Sequence, residues 1–308
     1  MEKIIISGGF PLKGRIKVSG SKNSALPILA ATAVYPGKYK LNNVPDIQDV
    51  RTMLQLLKIL GCTYKFQANK VEINTEKLNK FEAPYDLVKT MRASVLIWGA
   101  LLTRHKKAKI SFPGGCAIGD RPVDQHLAGF KSIGFSTTVS SGYLESRALK
   151  QIGGTFKFKV KSVTGTENLI LASIMGDKQT VLENCSLEPE VDDLIYFLIS
   201  LGAKIKRKKE KIIISPVDSL KKQKTSHKII PDRIEAGTFM YLGCVPGNKI
   251  TISNVDPSAL RDVIKSVALL GGKVLTKGST LKIIAPKEIR SIKIETNPYP
   301  FFPTDLQA

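Results

Sequence analysis

Apolar positions recur at helical spacing in four segments of the chain. In each segment they fall at positions i, i+3, i+4 and i+7, the spacing of an amphipathic helix whose apolar side faces a core. A glycine directly after the last apolar position is typical of a helix C-cap, because glycine adopts left-handed backbone conformations at low cost. These glycines follow one another at intervals of about 70 residues, which indicates an internal repeat. They are Gly61, Gly134, Gly202 and Gly271.

Each amphipathic segment is preceded by a second apolar segment, which is rich in small residues and is followed by a turn and an alternating run. After the amphipathic segment the residues alternate and turn again, as in 203–215, which is typical of a β-hairpin. Each repeat therefore predicts the order strand, helix, strand, helix, strand, strand (βαβαββ), and this alternation predicts an α/β (α+β) fold with helices covering sheets. The small-residue segments span 24–34, 92–103, 168–175 and 235–245, and residues 292–308 resemble the start of a fifth unit, with a strand and the approach to a first helix.

The chain has 308 residues, a length that fits two domains or one large domain and is ample for a buried core. Hydrophobic residues make up 43% and charged residues 24% of it, which excludes a disordered or low-complexity protein. No apolar stretch approaches the roughly 20 residues of a membrane-spanning helix, and the N-terminal apolar run is too short for a signal peptide, so we expect a cytoplasmic protein. The cysteines lack the spacing of a zinc site, so we expect reduced thiols and no metal. They are Cys62, Cys116, Cys185 and Cys244.

Lysine and arginine outnumber aspartate and glutamate by 47 to 26, a formal net charge of +21. A charge of this size permits nucleic acid, an anionic membrane or small anionic substrates as partners. The densest lysine runs, 204–211 and 221–228, contain no aromatic residue, whereas proteins that bind single strands place stacking side chains between their cations. We interpret the runs as solvated surface and expect no nucleic acid partner.

The second repeat departs from the others in the loop before its amphipathic helix. This loop, 113–123, reads PGGCAIGDRPV and is five residues longer than its counterpart in the first repeat. Its glycines allow close approach to a ligand, and it places the thiol of Cys116 near Arg121, in surroundings that tune thiol reactivity. The glycine spacing fits the first half of a P-loop, but Asp120 and Arg121 replace the residues that a P-loop requires, which excludes nucleotide hydrolysis. Cys116 is therefore a candidate reactive thiol.

The starts of the small-residue helices are candidate anion sites. Lys22 with Asn23, and Arg92, stand where free N–H groups and the positive end of a helix add to side-chain charge. His126 takes a helical position that is apolar in the other repeats, and it has two interpretations, a buried core histidine or a residue that faces a ligand. Acidic residues at or near the equivalent helix starts, which have a second interpretation as helix N-caps, are Asp232, Glu235 and Asp305.

Six segments, in order and at similar spacing, resemble the UDP-N-acetylglucosamine 1-carboxyvinyltransferases, a family of enolpyruvyl transferases. They are SKNSALPILAA (21–31), KTMRAS (89–94), PGGCAIGDRPVDQH (113–126), SVTGTEN (162–168), PDRIEAGTF (231–239) and PYPFFPTDLQA (298–308). The resemblance implies an inside-out α/β barrel built from repeated βαβαββ units, with two domains and the active site in the cleft between them. Residues 22–229 are expected to form a three-unit domain, and residues 1–21 plus 230–308 a second domain, truncated in its fifth unit. The strand within 1–21 is expected to pair with the segment after 230.

The reaction implied by this resemblance transfers the enolpyruvyl group of phosphoenolpyruvate to the 3'-hydroxyl of UDP-N-acetylglucosamine and releases phosphate. It is the first committed step of peptidoglycan synthesis, and hence serves cell-wall biogenesis, cell shape and cell division. The resemblance implies these two small-molecule substrates, no cofactor or metal, a cytoplasmic location without membrane contact, and a monomer when complete. The chemistry needs a proton donor, a base and several cations for a trianionic reactant.

Roles for individual residues are implied in the same way. Cys116 matches the residue that protonates the methylene carbon, can bond covalently to phosphoenolpyruvate and is alkylated by the epoxide fosfomycin. Asp305 matches the base on the sugar hydroxyl. Lys22 and Arg121 are expected to hold phosphoenolpyruvate, and Arg92 another anionic group. The other substrate-binding positions are Asn23, Pro122, Val123, Asp124, Gln125, His126, Lys161, Ser162, Val163 and Thr164.

Two alternatives stay open at this point. The enolpyruvylshikimate phosphate synthases share the fold and the reaction type, but they have no cysteine loop of the Cys116 type. Members of the resembled family also continue through a sixth unit, which carries two further arginines directed at phosphoenolpyruvate. The second alternative is therefore a fragment or a non-catalytic truncated remnant that at most binds the sugar nucleotide.

Overall fold

The chain folds into two compact units, a long unit of residues 20–230 and a short unit of residues 1–19 with 231–308. A computed structural model describes residues 3–83, 95–111, 123–149, 151–220 and 226–306. Within these residues, no helix is long and apolar enough to cross a membrane.

The described helices and strands follow the order that the repeats predict. The first repeat contains β1 (Lys13–Lys17), α1 (Lys22–Ala31), β2 (Lys38–Asn42), α2 (Gln48–Ile59), β3 (Thr63–Gln67) and β4 (Lys70–Asn74). The second contains β5 (Glu82–Ala83), α3 (Ile97–His105), β6 (Lys107–Ser111), α4 (Asp124–Ser132), β7 (Phe135–Ser140) and β8 (Tyr143–Ala148). The third contains β9 (Gly154–Lys157), α5 (Val163–Ser173), β10 (Thr180–Glu183), α6 (Pro189–Ser200), β11 (Lys204–Lys208) and β12 (Lys211–Ser215). The fourth contains β13 (Ser226–Lys228), α7 (Arg233–Cys244), β14 (Lys249–Ser253), α8 (Arg261–Leu269), β15 (Lys273–Lys277) and β16 (Thr280–Ile284), with 3-10 helices at Pro257–Leu260 and Thr304–Leu306. The predicted α/β fold with βαβαββ repeats is confirmed.

Within the described ranges, four sheets of four strands share one topology, in which a parallel pair is followed by two antiparallel neighbours. The strand orders are β13-β2-β4-β3, β5-β6-β8-β7 and β9-β10-β12-β11 in the long unit and β1-β14-β16-β15 in the short unit. The first and fourth repeats exchange their first strands, because β13 pairs with β2 while β1 pairs with β14, with Lys13 opposite Lys249. The N-terminal strand thus pairs with a strand after residue 230, as the sequence predicts.

The glycines that close the amphipathic helices adopt the left-handed backbone that the sequence predicts. Their φ angles are +109° at Gly61, +103° at Gly134, +106° at Gly202 and +95° at Gly271. An L-residue with a side chain adopts this conformation only with strain, so glycine ends each helix and lets the following β-hairpin begin.

The small-residue helices α1, α3 and α5 lie in the core of the long unit and are buried over most of their length. Gly99 permits the close approach of α3 to α5, because a Cβ there would lie 2.3 Å from the carbonyl oxygen of Asn168. The Gly99 amide donates to Oδ1 of Asn168 (2.8 Å), and one turn later the Thr103 hydroxyl donates to the Leu171 carbonyl (2.6 Å). The two helices therefore run parallel and begin at the same end.

The short unit has a core of its own, formed by α7, α8 and its sheet. Met240, Ile252, Val267 and Leu281 are buried in it. The predicted strand at the start of 292–308 is wrong for the described structure, which forms no strand there. A strand is held by ladder hydrogen bonds to a neighbour, and no described strand pairs with these residues.

Candidate active site

Lys22 and Asn23 begin α1 and stay accessible, while the helix behind them enters the core. The Nζ of Lys22 lies 3.1 Å from Oδ2 of Asp49, in the first turn of α2, and both side chains are about two-fifths exposed. Exposed pairs of this kind contribute little to stability, so the ammonium can exchange Asp49 for an anion at low cost. The first turn of α1 contains no acidic residue, and the positive end of the helix favours a negative group beside Lys22.

Gln125, in the first turn of α4, lies close to a second predicted substrate-binding segment, 161–164. The Oε1 of Gln125 accepts a hydrogen bond from the Lys159 amide (3.0 Å), and its Nε2 donates to the Val160 carbonyl (3.0 Å). These two backbone groups lie directly before Lys161. The side chain of Gln125 therefore connects the start of α4 to the segment that leads into α5. Beside it Asp124 is exposed and Val123 is buried.

The start of α5 is capped by its own serine. The hydroxyl of Ser162 accepts a hydrogen bond from the Gly165 amide (3.1 Å), while Val163 and Thr164 are partly exposed. Lys161 is partly exposed as well, and its Nζ lies 2.5 Å from Oε1 of Glu210. A cation, a hydroxyl and the positive end of a helix thus stand together, which suits an anionic or hydroxyl-rich ligand.

His126 is a core residue in this structure. It is 2% exposed, and its ring stacks parallel to Trp98, with 6.5 Å between centroids and 6° between planes. Trp98 is held in turn by a hydrogen bond from its Nε1 to the hydroxyl of Ser146 (2.9 Å). Of the two interpretations from sequence, the structure thus favours the core histidine.

Asp305 lies in the short unit, on the 3-10 helix at Thr304–Leu306, and it is exposed. Beside it is an open, mainly apolar groove of about 820 Å³, lined by Tyr241 and Leu242 of α7 and by Val245 directly after the helix. The neighbouring Leu306 packs on Gly237 of α7, so the core of the short unit holds the backbone next to Asp305.

Four predicted site residues lie outside the described residues: Arg92, Cys116, Arg121 and Pro122. Of the two predicted catalytic residues, only Asp305 is described.

The described thiols differ from what is expected of a reactive cysteine. Burial raises the pKa of Cys62 and of Cys185 to about 12, and burial also raises the pKa of Cys244. The thiolate is the nucleophile, so these three thiols are poorly reactive at neutral pH.

Sequence reasoning missed a set of carboxylates near the helix starts. Asp49 pairs with Lys22, and the signal for it was an acid in the first turn of an amphipathic helix. Glu167, on α5, is fully buried, and its Oε1 has no hydrogen-bond partner. Burial, and then the charges of Glu190 and Glu188, hold the pKa of the Glu167 carboxyl well above its usual range. Within the described parts of the chain, no group of three or more His, Cys, Asp or Glu residues has the arrangement of a metal site.

Comparison with known proteins gives the class. The family model described as EPSP synthase (3-phosphoshikimate 1-carboxyvinyltransferase) matches residues 6–308. Among solved structures, the enolpyruvyl transferase NikO from Streptomyces tendae has a TM-score of 0.80 at 21% identity, over 90% of this chain and 67% of that one. EPSP synthase from Acinetobacter baumannii has a TM-score of 0.69 at 17% identity, over 94% and 68%. These two likenesses show the fold.

Curated relatives narrow the class further. Proteins named UDP-N-acetylglucosamine 1-carboxyvinyltransferase are 41% identical in Geotalea daltonii, 42% in Myxococcus xanthus and 44% in Desulfovibrio desulfuricans. Each match covers 100% of this chain and 74% of the relative. The chain therefore belongs to the EPSP synthase family of carboxyvinyltransferases and, within it, to the UDP-N-acetylglucosamine 1-carboxyvinyltransferases.

Proposed function

We propose that the protein transfers the enolpyruvyl group of phosphoenolpyruvate to the 3'-hydroxyl of UDP-N-acetylglucosamine and releases inorganic phosphate. The observation that carries the proposal is the identity of 41–44% to transferases of that name along the whole chain. The reaction would serve peptidoglycan synthesis in the cytoplasm, and through it cell-wall biogenesis, cell shape and division. Residues 22–229 and residues 1–21 plus 230–308 would act as its two domains, in a protein that is a monomer when complete.

Phosphoenolpyruvate carries several negative charges, so its site needs cations that are in place before the reaction. Lys22 and Arg121 would contact it, and Arg92 would hold another anionic group. The accessible ammonium of Lys22, at the positive end of α1 and 3.1 Å from the carboxylate of Asp49, supports this assignment. Donors already oriented toward developing charge lower a barrier most, because they need no rearrangement during the reaction.

The chemical step needs an acid that protonates phosphoenolpyruvate and a base that accepts the proton of the sugar hydroxyl. Cys116 would give a proton to C3 of phosphoenolpyruvate while the sugar 3'-hydroxyl attacks C2, and Asp305 would take the hydroxyl proton. Loss of phosphate from C2 and of a proton from C3 then forms the enol ether. The exposure of Asp305 supports this division of roles, and so does the burial of Cys62, Cys185 and Cys244, which keeps those three thiols away from a substrate.

The sugar nucleotide would be held by the starts of α4 and α5. Gln125 is hydrogen-bonded to the backbone of Lys159 and Val160, directly before the predicted segment 161–164, which supports one binding surface formed by the two helix starts. Lys161 and the start of α5 would face anionic or hydroxyl groups of the nucleotide. His126 would act from behind this surface, since it is buried against Trp98.

A phosphate-release assay with purified chain tests the proposal. We expect phosphate and enolpyruvyl-UDP-N-acetylglucosamine, identified by mass, from phosphoenolpyruvate and UDP-N-acetylglucosamine in the presence of a chelator. Shikimate 3-phosphate is the matched control acceptor, and we expect no product from it. The variant Cys116→Ala should lower turnover by at least about 100-fold, because it removes the proton donor.

The opposite outcomes are equally clear. Product from shikimate 3-phosphate alone would assign the other activity of the EPSP synthase family. Binding of UDP-N-acetylglucosamine without any turnover would support the non-catalytic alternative, and activity that returns only with a divalent ion would contradict a reaction without metal.

A further inference from the structure

A buried carboxylate lies directly behind the start of α1. Asp193, on α6, is 4% exposed, and both of its oxygens have partners. Its Oδ1 lies 2.9 Å from Nε2 of His227 on β13. Its Oδ2 accepts hydrogen bonds from the Ile230 amide (3.2 Å) and from the hydroxyl of Ser24. A buried carboxylate is costly unless such donors satisfy it, so the three partners are held to one another through Asp193.

Two of these partners flank the predicted anion site. Ser24 directly follows Lys22 and Asn23 in the first turn of α1. On the other side, the Ile230 carbonyl accepts a hydrogen bond from the amide of Ser21, the N-cap residue of α1 (2.8 Å). Asp193 therefore fixes the turn from within the helix and, through Ile230, from the residue before it.

The helix has little local support at this end. The side chain of its N-cap Ser21 makes no capping hydrogen bond. Pro27 lies inside the helix and has no N–H, so its backbone cannot donate a hydrogen bond to the first turn. The position of the first turn thus depends on tertiary contacts. The buried Asp193 carboxylate provides such contacts both to Ser24 within the turn and, through Ile230, to Ser21 before it.

We propose that Asp193 is a positioning residue that holds the first turn of α1 so that Lys22 can bind phosphoenolpyruvate. The role rests on the proposed function of the site. Asp193 itself is buried behind the helix and acts through Ser24 and Ile230.

The test compares four variants of the full chain by hydrogen exchange of the peptide that covers 21–27, by phosphate-release kinetics and by calorimetric titration with phosphoenolpyruvate. Asp193→Ala removes all three contacts, and Ser24→Ala removes one of them. In Asp193→Asn, the amide oxygen can still accept from Ser24 and Ile230, and the amide nitrogen can donate to a neutral His227. The matched control is Asp177→Ala, whose carboxylate accepts from a backbone amide elsewhere in the long unit, at Ile152 (2.7 Å).

For Asp193→Ala we expect exchange at 21–27 to rise at least about tenfold, and the KM and Kd for phosphoenolpyruvate to rise by a similar factor, with kcat within about threefold. The split is expected because Lys22 binds the substrate before the reaction as well as during it. Ser24→Ala should show the same changes at about threefold, as expected for one hydrogen bond. Asp193→Asn should stay within about threefold of the wild type, and Asp177→Ala should change neither quantity.

Unchanged exchange at 21–27 in Asp193→Ala would overturn the proposal. So would a rise in KM and Kd that is as large in Asp177→Ala, since that would report general destabilisation. If Asp193→Ala fails to fold, Ser24→Ala decides the question by the same two measurements. A wild-type chain without turnover contradicts the proposed function alone, and the titration with phosphoenolpyruvate then decides whether Asp193 supports binding.

Discussion

The helices α5 and α7 hold equivalent places in the third and fourth repeats, yet they are buried to very different extents. Nine of the eleven residues of α5 are buried, from Gly165 through Ser173. Only five of the twelve residues of α7 are buried, and the side chains of Tyr241 and Leu242 line an open groove. Both helices begin with a side-chain N-cap, Ser162 in α5 and Asp232 in α7, so the two helices are stabilised in the same way at their N-termini.

The difference lies in the neighbours that each unit supplies. In the long unit, α5 packs against α3, α4 and α6. In the short unit, α7 packs mainly on its own sheet and α8 within the described residues. Most of the stability of a helix in a protein comes from packing of its apolar face. The same small-residue pattern therefore gives a buried helix in the long unit and a half-covered helix in the short unit.

The reactivity of the three buried thiols should separate the two units most strongly. At pH 8 a thiol with a pKa of about 12, as in Cys62 and Cys185, carries roughly 1,000-fold less thiolate than an ordinary cysteine. We expect a small alkylating reagent to modify Cys116 first and Cys244 second, because the less packed unit opens at a lower free energy. Cys62 and Cys185 should react last.

Peptide mapping over a time course measures this order, and raising the pH should speed all four reactions because each thiolate fraction rises. Fosfomycin, at the same pH, should modify Cys116 alone. Labelling of Cys62 or Cys185 ahead of Cys244 would show that the long unit opens more easily, contrary to the comparison.

A matched pair of glycines tests packing directly. In Gly99→Ala, the new Cβ would meet the backbone carbonyl of Asn168 at 2.3 Å, which neither helix can relieve without moving. We expect a loss of about 3 kcal/mol in the free energy of unfolding, the upper end for overpacking of a core. In Gly237→Ala, the nearest atoms to the Cβ would be those of the Leu306 side chain, with Cδ1 at 2.7 Å and Cδ2 at 3.1 Å, and that side chain can turn away.

The Gly237→Ala variant should therefore stay within about 1 kcal/mol of the wild type, since alanine also favours the helix. Denaturant unfolding followed by far-UV circular dichroism measures both variants. Similar losses in the two would mean that α7 is packed as tightly as α3.

Much of this architecture follows from sequence pattern alone. The closing glycines and the helical spacing predict four repeats, because a helix C-cap imposes a left-handed backbone at one position, as at Gly61 and Gly271. The exchange of β1 and β13 between two sheets depends on strand pairing across long stretches of chain, 236 residues from Lys13 to Lys249 and 186 from Lys40 to Ser226, which no local pattern encodes. The strand expected at the start of 292–308 was wrong, because its apolar residues show a pattern but cannot show a partner strand.

The candidate site residues stay predictions, and the sequence anticipates their surroundings to different degrees. Lys22 stands at a helix start, which predicts an accessible cation, and the structure leaves it accessible beside Asp49. Gln125 was expected only from the family resemblance, and the structure adds its contacts to the backbone before Lys161. Glu167 and Asp193 look like ordinary acids of an amphipathic or apolar segment. Only tertiary packing buries them, and no local pattern records which donors they meet.

The buried carboxyl of Glu167 should make the stability of the long unit depend on pH. This carboxyl is buried without a partner for Oε1 and has a pKa well above the usual range, so the folded state holds its proton longer than the unfolded chain does. Stability of the long unit is therefore lost as pH rises above the unfolded pKa of about 4.5 toward the raised folded value. In Glu167→Gln this loss is absent, so the variant should be equal to the wild type near pH 4 and more stable at pH 8.

Thermal unfolding of Glu167→Gln at a series of pH values measures the effect. The control is Glu288→Gln, an exposed carboxylate of the short unit, which should change stability little at either pH. If the unfolding temperatures of Glu167→Gln and the wild type differ by the same amount at every pH, Glu167 is not the group that titrates.

The smallest expected effect on stability belongs to the groove beside α7. Val245 lines this groove and is 44% exposed, so a lysine there can reach water and should change the free energy of unfolding by less than about 0.5 kcal/mol. An exposed apolar surface of this kind binds an apolar fluorescent dye, and Val245→Lys should lower dye fluorescence at unchanged stability. Val139, which is 62% exposed on β7 of the long unit and does not line the groove, is the control, and Val139→Lys should leave the fluorescence as it is. An equal loss of fluorescence in both variants would mean that the dye binds exposed apolar side chains in general and not the groove. The contrast between the covered helices of the long unit and the half-covered α7 would then not produce a binding surface for the dye.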